Sequence, residues 1–211
     1  MRSNILVFVA HPDDLEIGMG GTSLKYSQQG KKIIQVIFSY GELSILKKNI
    51  IVIIRKKEAK KAGKLIGCKK IIFFGLSDGK ISSEIKEKNV KEKVKKLIKQ
   101  YKPIKIFTHS IDDLPDHKAV NRVVIETLDE LKSKAEVYAF DIWNPTSLTK
   151  ANYPKLFVDV TNTFDTKIKA LKLFKSQKHV MLQLMPAVFL RAKLAGQYDN
   201  CKYAEKFYKI R

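Results

Sequence analysis

Six consecutive apolar residues, Ile5 to Ala10, stop abruptly at His11-Pro12-Asp13-Asp14. A half-exposed strand alternates apolar and polar side chains, so an unbroken run implies a strand buried on both faces, the condition of a parallel sheet covered by helices. Gly18, Gly20 and Gly21 then lead into the next helix. In open α/β sheets ligands bind just beyond the carboxyl ends of strands, which is where this His and these two Asp stand. Catalytic zinc sites use three nitrogen, oxygen or sulfur ligands and keep a position open for water. His11 and Asp14 suit two of the three, and Asp13 suits the base that takes a proton from the water. A purely structural reading competes: His11 as a turn residue, Asp13 and Asp14 as caps of the following helix.

Apolar periodicity extends the pattern along the chain. Helix is expected over 22–29, strand over 33–38, helix from about Arg55 to Ile66, and strand over 69–74, ending at Gly75-Leu76-Ser77-Asp78-Gly79. Residues 43–54 are compatible with a short helical insertion or an irregular loop. The clearest helix spans 84–101, where Ile85, Val90, Val94, Leu97, Ile98 and Tyr101 form a stripe opposite a lysine face. Strand 104–108, a loop from His109 to His117 and helix 119–132 follow. Strand 136–142, a loop at Trp143-Asn144-Pro145-Thr146, strand 156–160 and helix 165–178 come next, then a helical tail over 180–211 broken at Pro186. Strands alternate with helices and no linker intervenes. The expectation is a single α/β domain over residues 1–211, a mostly parallel sheet between two helical layers.

Composition narrows the partners. The 211 residues carry 41 Lys and Arg against 21 Asp and Glu, a formal charge of +20. Residues 47–105 alone hold 20 basic and 5 acidic residues, a net +15. Such a field attracts nucleic acid, anionic lipid or phosphorylated ligands. Yet 19 of the 20 are Lys, and Arg55 is the one Arg, the type suited to bidentate phosphate recognition. Nucleic-acid binding therefore rests on charge alone. Gly18-x-Gly20-Gly21 resembles a dinucleotide turn only superficially: Ser23 stands where the third glycine belongs, and the two Asp would oppose a pyrophosphate. No signal peptide is recognisable, and no apolar stretch nears the ~20 residues of a membrane span. Two cysteines, Cys68 and Cys201, form no disulfide framework and fit a reduced, cytoplasmic setting.

A second cluster, Thr108-His109-Ser110-Ile111-Asp112-Asp113-Leu114-Pro115-Asp116-His117, follows another expected strand. His117, near the start of a helix, can aim its imidazole back at His11 and Asp14. The alternative has Asp112 or Asp113 capping that helix and His117 bonded locally. Together these segments resemble the LmbE-like, or PIG-L-like, zinc-dependent de-N-acetylases of N-acetylglucosaminyl substrates. The resemblance rests on Ala10-His11-Pro12-Asp13-Asp14 with Gly18-Met19-Gly20-Gly21-Thr22, on Arg55-x-x-Glu58-x-x-x-Ala62, on Leu76-Ser77-Asp78-Gly79, on Asp116-His117 and on Ser176-Gln177. It implies a Rossmann-like fold and Zn2+, or another divalent metal, held by His11, Asp14 and His117. It further implies Asp13 as general base, and Arg55 and Asp78 as contacts for a small N-acetyl sugar that the basic surface allows to be anionic. A homo-oligomer is compatible with this reading. The chain departs from the family's His-x-Asp-His: Leu114 stands in place of the first His and the loop is one residue shorter. His109 in the same loop, or Asp13 once protonated, is then left as the acid, and a non-catalytic metal-binding relative is the alternative function. Phe174 takes the place of the family's C-terminal His, with His179 nearby.

Overall fold

The computed structural model describes residues 4–42, 48–111, 114–142 and 152–211. Strands β1 (Asn4–Val9), β2 (Lys32–Ser39), β3 (Cys68–Leu76), β4 (Lys105–His109), β5 (Glu136–Phe140), β6 (Lys155–Asp159) and β7 (Ala204–Lys209) join one sheet in the order β3-β2-β1-β4-β5-β7-β6. The first five run parallel, and β7 lies antiparallel between β5 and β6. The connecting helices are α1 (Asp14–Gln28), α2 (Lys48–Leu65), α3 (Ile81–Glu87), α4 (Val90–Tyr101), α5 (Pro115–Glu130), α6 (Phe164–Leu171) and α7 (Lys178–Tyr198). None is long and apolar enough to cross a membrane.

β1 is the centre of this arrangement, as its uninterrupted apolar sequence requires. Ile5, Val7 and Val9 enter one core with Phe107, Phe140 and Phe207, while Leu6, Phe8 and Ala10 enter the other with Val94, Ile98 and Val124. Full burial of a large apolar side chain contributes about 1.5–3 kcal/mol, so a polar residue anywhere in β1 would be costly. Because β2 and β4 flank β1 on opposite sides, the order of the chain reverses there. The crevice beyond the carboxyl ends of β1 and β4 is the topological switch point of the sheet.

The glycines of the first motif answer to packing. A side chain at Gly18 would drive into the Phe140 ring, and a Cβ at Gly21 would lie 2.8 Å from Val160 Cβ. Helix α1 breaks at Met19, whose φ of −147° and ψ of 25° are not helical. The break frees the N–H groups of Gly21 and Thr22, which donate to the Glu205 carboxylate of β7 at 3.0 and 2.7 Å. Lys167 of α6 neutralises that carboxylate at 2.6 Å. A carboxylate at a helix start satisfies orphan donors and complements the helix dipole.

Several boundaries differ from expectation. α1 begins at Asp14 rather than Thr22, α2 already at Lys48, and the helix expected over 84–101 divides at Asn89, which turns left-handed (φ 51°). His109 closes β4 instead of opening a loop, and His117 lies inside α5. α6 is shorter than expected, and residues 175–177 form a 3-10 turn. α7 runs through Pro186, and the tail ends in a strand rather than helix. Ala204-Glu205-Lys206-Phe207-Tyr208-Lys209 has no clean alternation; pairing with β5 and β6 defines it as a strand. Asp112, Asp113, residues 43–47 of the ambiguous stretch and the loop at Trp143 to Thr146 lie outside the described residues.

Candidate metal centre and active site

The end of β1 and the end of β4 deliver three histidines to one point. His11 lies two residues beyond the end of β1, His109 is the last residue of β4, and His117 occupies the first turn of α5, which Pro115 opens. His109 and His117 stack with ring centroids 3.9 Å apart and planes 4° from parallel. Asn121, one turn beyond His117, donates from Nδ2 to the His109 carbonyl at 2.7 Å, which ties α5 to the strand end.

Asp14 sits among them. Its Oδ2 accepts the His11 backbone N–H at 2.7 Å and lies 3.5 Å from His11 Nδ1, 3.5 Å from His117 Nε2 and 3.2 Å from His109 Nε2. His11 Nδ1 and His117 Nε2 are 3.3 Å apart. His11, Asp14 and His117 thus offer two nitrogens and one oxygen whose separations are 3.3, 3.5 and 3.5 Å. A tetrahedral site with bonds of about 2.0–2.1 Å has edges of about 3.3–3.4 Å. The donor set therefore fits a divalent metal in both chemistry and spacing. Burial alone would raise the Asp14 pKa, but His117 and His109 outweigh it and hold the carboxyl well below its ordinary range.

The other nitrogen of His11 faces carboxylates. Nε2 is 3.0 Å from Asp78 Oδ1 and 3.7 Å from Asp116 Oδ2. Burial works against charge on this imidazole, yet Asp116, Asp14 and Asp78 outweigh it and raise its pKa well above the usual value. Asp116 also accepts the N–H groups of Gly79 at 2.8 Å and Ile81 at 3.3 Å, while Glu42 accepts that of Asp78 at 3.3 Å. The turn after β3 is thereby clamped against His11. Asp116 and Glu42 were not singled out in the sequence as site residues. The position of Asp116 beside His117 was the available signal, since the second residue of a helix can accept donors from a neighbouring turn.

Asp13 occupies the N-cap position of α1, but its side chain makes no capping bond. It faces Arg55 of α2 instead, Nη2 to Oδ1 at 3.3 Å, and both residues are buried. Burial raises the Asp13 pKa; Arg55 offsets this in part and Asp14 adds to it. Arg55 packs against Gly41 so closely that a Cβ there would meet its guanidinium at 2.6 Å. One turn on, Glu58 accepts the backbone N–H of Ser176 at 2.9 Å and its hydroxyl at 2.5 Å. The Ser176-Gln177 segment thus anchors α2, and Phe174 is a core residue. His179 is exposed at the start of α7. Of the residues expected at the site, His11, Asp13, Asp14, His109 and His117 converge here. Arg55 contacts Asp13, and Asp78 contacts His11. His109 is wholly buried, and its Nε2 receives the Ala10 N–H at 2.9 Å.

Known proteins resemble this chain in sequence and in fold. A probable N-acetyl-alpha-D-glucosaminyl L-malate deacetylase 2 from Bacillus cereus is 27% identical over 199 residues, covering 87% of each chain. An N,N'-diacetylchitobiose deacetylase from Pyrococcus horikoshii superimposes with a TM-score of 0.82 at 23% identity, covering 97% of this chain and 82% of its own. GalB, the 4-carboxy-2-hydroxymuconate hydratase of Pseudomonas putida, superimposes with a TM-score of 0.80 at 20% identity, covering 99% and 96%. The fold thus carries more than one chemistry, and likeness of fold alone does not select among them. The GlcNAc-PI de-N-acetylase (PIG-L) family model matches residues 6–128, more than half of the chain and the part that supplies every metal-site candidate, so the chain belongs to that family.

Proposed function

We propose that this protein is a metal-dependent hydrolase that removes the N-acetyl group from an N-acetylglucosamine-type sugar or conjugate. The observation that carries the reading is the convergence of His11 Nδ1, Asp14 Oδ2 and His117 Nε2 at tetrahedral spacing with Asp13 adjoining Asp14. Sequence relatives that act on N-acetylglucosaminyl compounds support the substrate class. A divalent metal, zinc in this reading, supplies positive charge that acidifies a water and polarises an acyl carbonyl when bound.

The chain's own residues do the rest. Asp13, raised by burial, accepts the proton as water adds to the amide carbon. Arg55 fixes the orientation of that carboxylate without fully suppressing its basicity. The amine needs a proton to depart, and Asp13 carries one after the addition step. His109 is a positioning residue in this scheme: buried, with Nε2 accepting the Ala10 N–H and its ring stacked on His117, it fixes the plane of that ligand. Asp78 orients His11 through Nε2, with its 15% side-chain exposure leaving an edge for substrate.

Acetate release from a panel of N-acetylglucosamine derivatives, with chelated protein reloaded with zinc, tests the proposal. Release that requires metal and falls about 10²- to 10⁴-fold in Asp13→Asn is expected. Leu114, at the N-cap of α5 and 41% exposed, favours a second reading because it replaces the imidazole the family carries there. Stoichiometric metal with no acetate from any substrate would replace the hydrolase reading by that of a metal-binding relative.

A further inference from the structure

The longest helix, α7, turns an apolar side outward. Leu182, Pro186, Leu190, Leu194 and Tyr198 follow one another at intervals of four, so they lie along a single ridge, and all five are exposed. Leu182 is 63% exposed, Leu190 48% and Leu194 39%. Monomeric proteins seldom leave contiguous apolar patches in water without a use for them. The opposite side of the helix, Met181, Leu184, Val188 and Ala192, is buried in the core, so the ridge is surplus to folding.

A cavity of about 510 Å³ opens at the head of this ridge, between α6 and α7. Phe174, Met181, Leu182 and Met185 supply its apolar wall, and its remaining lining includes Lys172, Lys175 and Lys178. These three lysines are exposed, so their stems wall the cavity while their ammonium groups reach water at its mouth. The 21 residues of α7 include Lys178, Arg191 and Lys193 and no Asp or Glu. An apolar slot with a cationic rim, continuous with an apolar ridge free of acid, is complementary to an amphiphile with an anionic head.

We propose that the α6–α7 face docks on an anionic lipid bilayer, the ridge lying in the interface and the cavity taking an acyl chain. Helices with an apolar side and basic flanks bind membranes in this in-plane manner, and basic residues near the surface add attraction to anionic headgroups. Charge decides between this occupant and a second copy of the chain. Each copy carries +20, so copies repel one another, whereas the same charge draws the protein to an anionic surface. The proposal stands apart from the deacetylase reading, because its test needs no turnover.

Flotation of the full chain with vesicles of phosphatidylglycerol and phosphatidylcholine, against vesicles of phosphatidylcholine alone, tests it. Binding to the anionic vesicles alone, weakened by 0.5 M salt as the screening length falls to ~4 Å, is expected. The double variant Leu190→Glu/Leu194→Glu, at exposed positions where folding is insensitive, should lower partitioning about tenfold or more. Lys172→Glu/Lys175→Glu should lower it further than Lys96→Glu/Lys99→Glu, an equal change of charge on the exposed side of α4. Equal binding to both vesicle types, or none to either, would overturn the proposal. Wild-type binding by the leucine variant would assign the attraction to general surface charge. A dimer in sedimentation velocity that the leucine variant dissolves, without vesicle binding, would assign the face to a second copy.

Discussion

An imidazole presents one lone pair to a cation at a time, and at His11 the choice falls to the groups around Nε2. Asp78 Oδ1 at 3.0 Å fixes a proton there and leaves Nδ1 as the donor beside Asp14 and His117 for the proposed metal. Carboxylate partners of this kind typically change metal affinity 10- to 100-fold. Asp78→Asn is therefore expected to weaken zinc binding by about that factor in competition with a chromogenic chelator. A variant with unaltered zinc affinity and a raised KM would instead make Asp78 a substrate contact alone. The ligand candidates were legible in the sequence because each follows a buried strand or opens a helix, so local pattern places it. The second contact of Asp116, to a turn 37 residues away, was not legible. Only the folded turn after β3 brings Gly79 to it.

At the scale of elements, the break in α1 and the terminal strand depend on each other. Glu205 joins Gly21, Thr22 and Lys167 while Lys167 and Glu205 are each nearly inaccessible. Removing one partner of a buried ion pair strands the other and costs about 3–5 kcal/mol. Glu205→Gln should lower the unfolding free energy obtained from urea titration by that amount, and Lys167→Met in the same chain should recover most of it. A single variant as stable as the parent would show that water reaches the pair. The glycine motif was readable as the entry to a helix, but β7 was not readable as a strand, since its strand character comes from β5 and β6. Pro186 misled in the opposite direction. It lacks the N–H that would bond Leu182, a loss that usually breaks a helix, yet α7 continues because its buried side is held by the core. Pro186→Ala should accordingly stabilise the chain by about 1–2 kcal/mol, the helix gain less the loss of a stiffer unfolded chain.

Across the whole molecule, 41 basic residues face 21 acidic ones, so like charges outnumber pairs. Salt shields attraction and repulsion together, and with this imbalance the repulsion is the larger quantity. Raising ionic strength at neutral pH should therefore raise the thermal midpoint. Acid acts the other way, and the carboxylates that restrain the surplus can be named. Lys88 holds the Glu84 pKa at about 2, and Lys105 with Lys209 holds that of Glu136 at about 2, both from 4.5. A carboxyl depressed by folding contributes its stability above the unfolded pKa and loses it as pH falls through the folded one. Both contributions are intact above about pH 4.5 and vanish towards pH 2, while each proton taken up adds to the positive excess. Calorimetry from pH 6 to pH 2 should show the midpoint falling most steeply in that interval. Glu84→Gln/Glu136→Gln should start lower and fall less across it. If the double variant kept the parent's slope, other carboxylates would have to supply the acid sensitivity, and the two lysine clusters would be structurally idle.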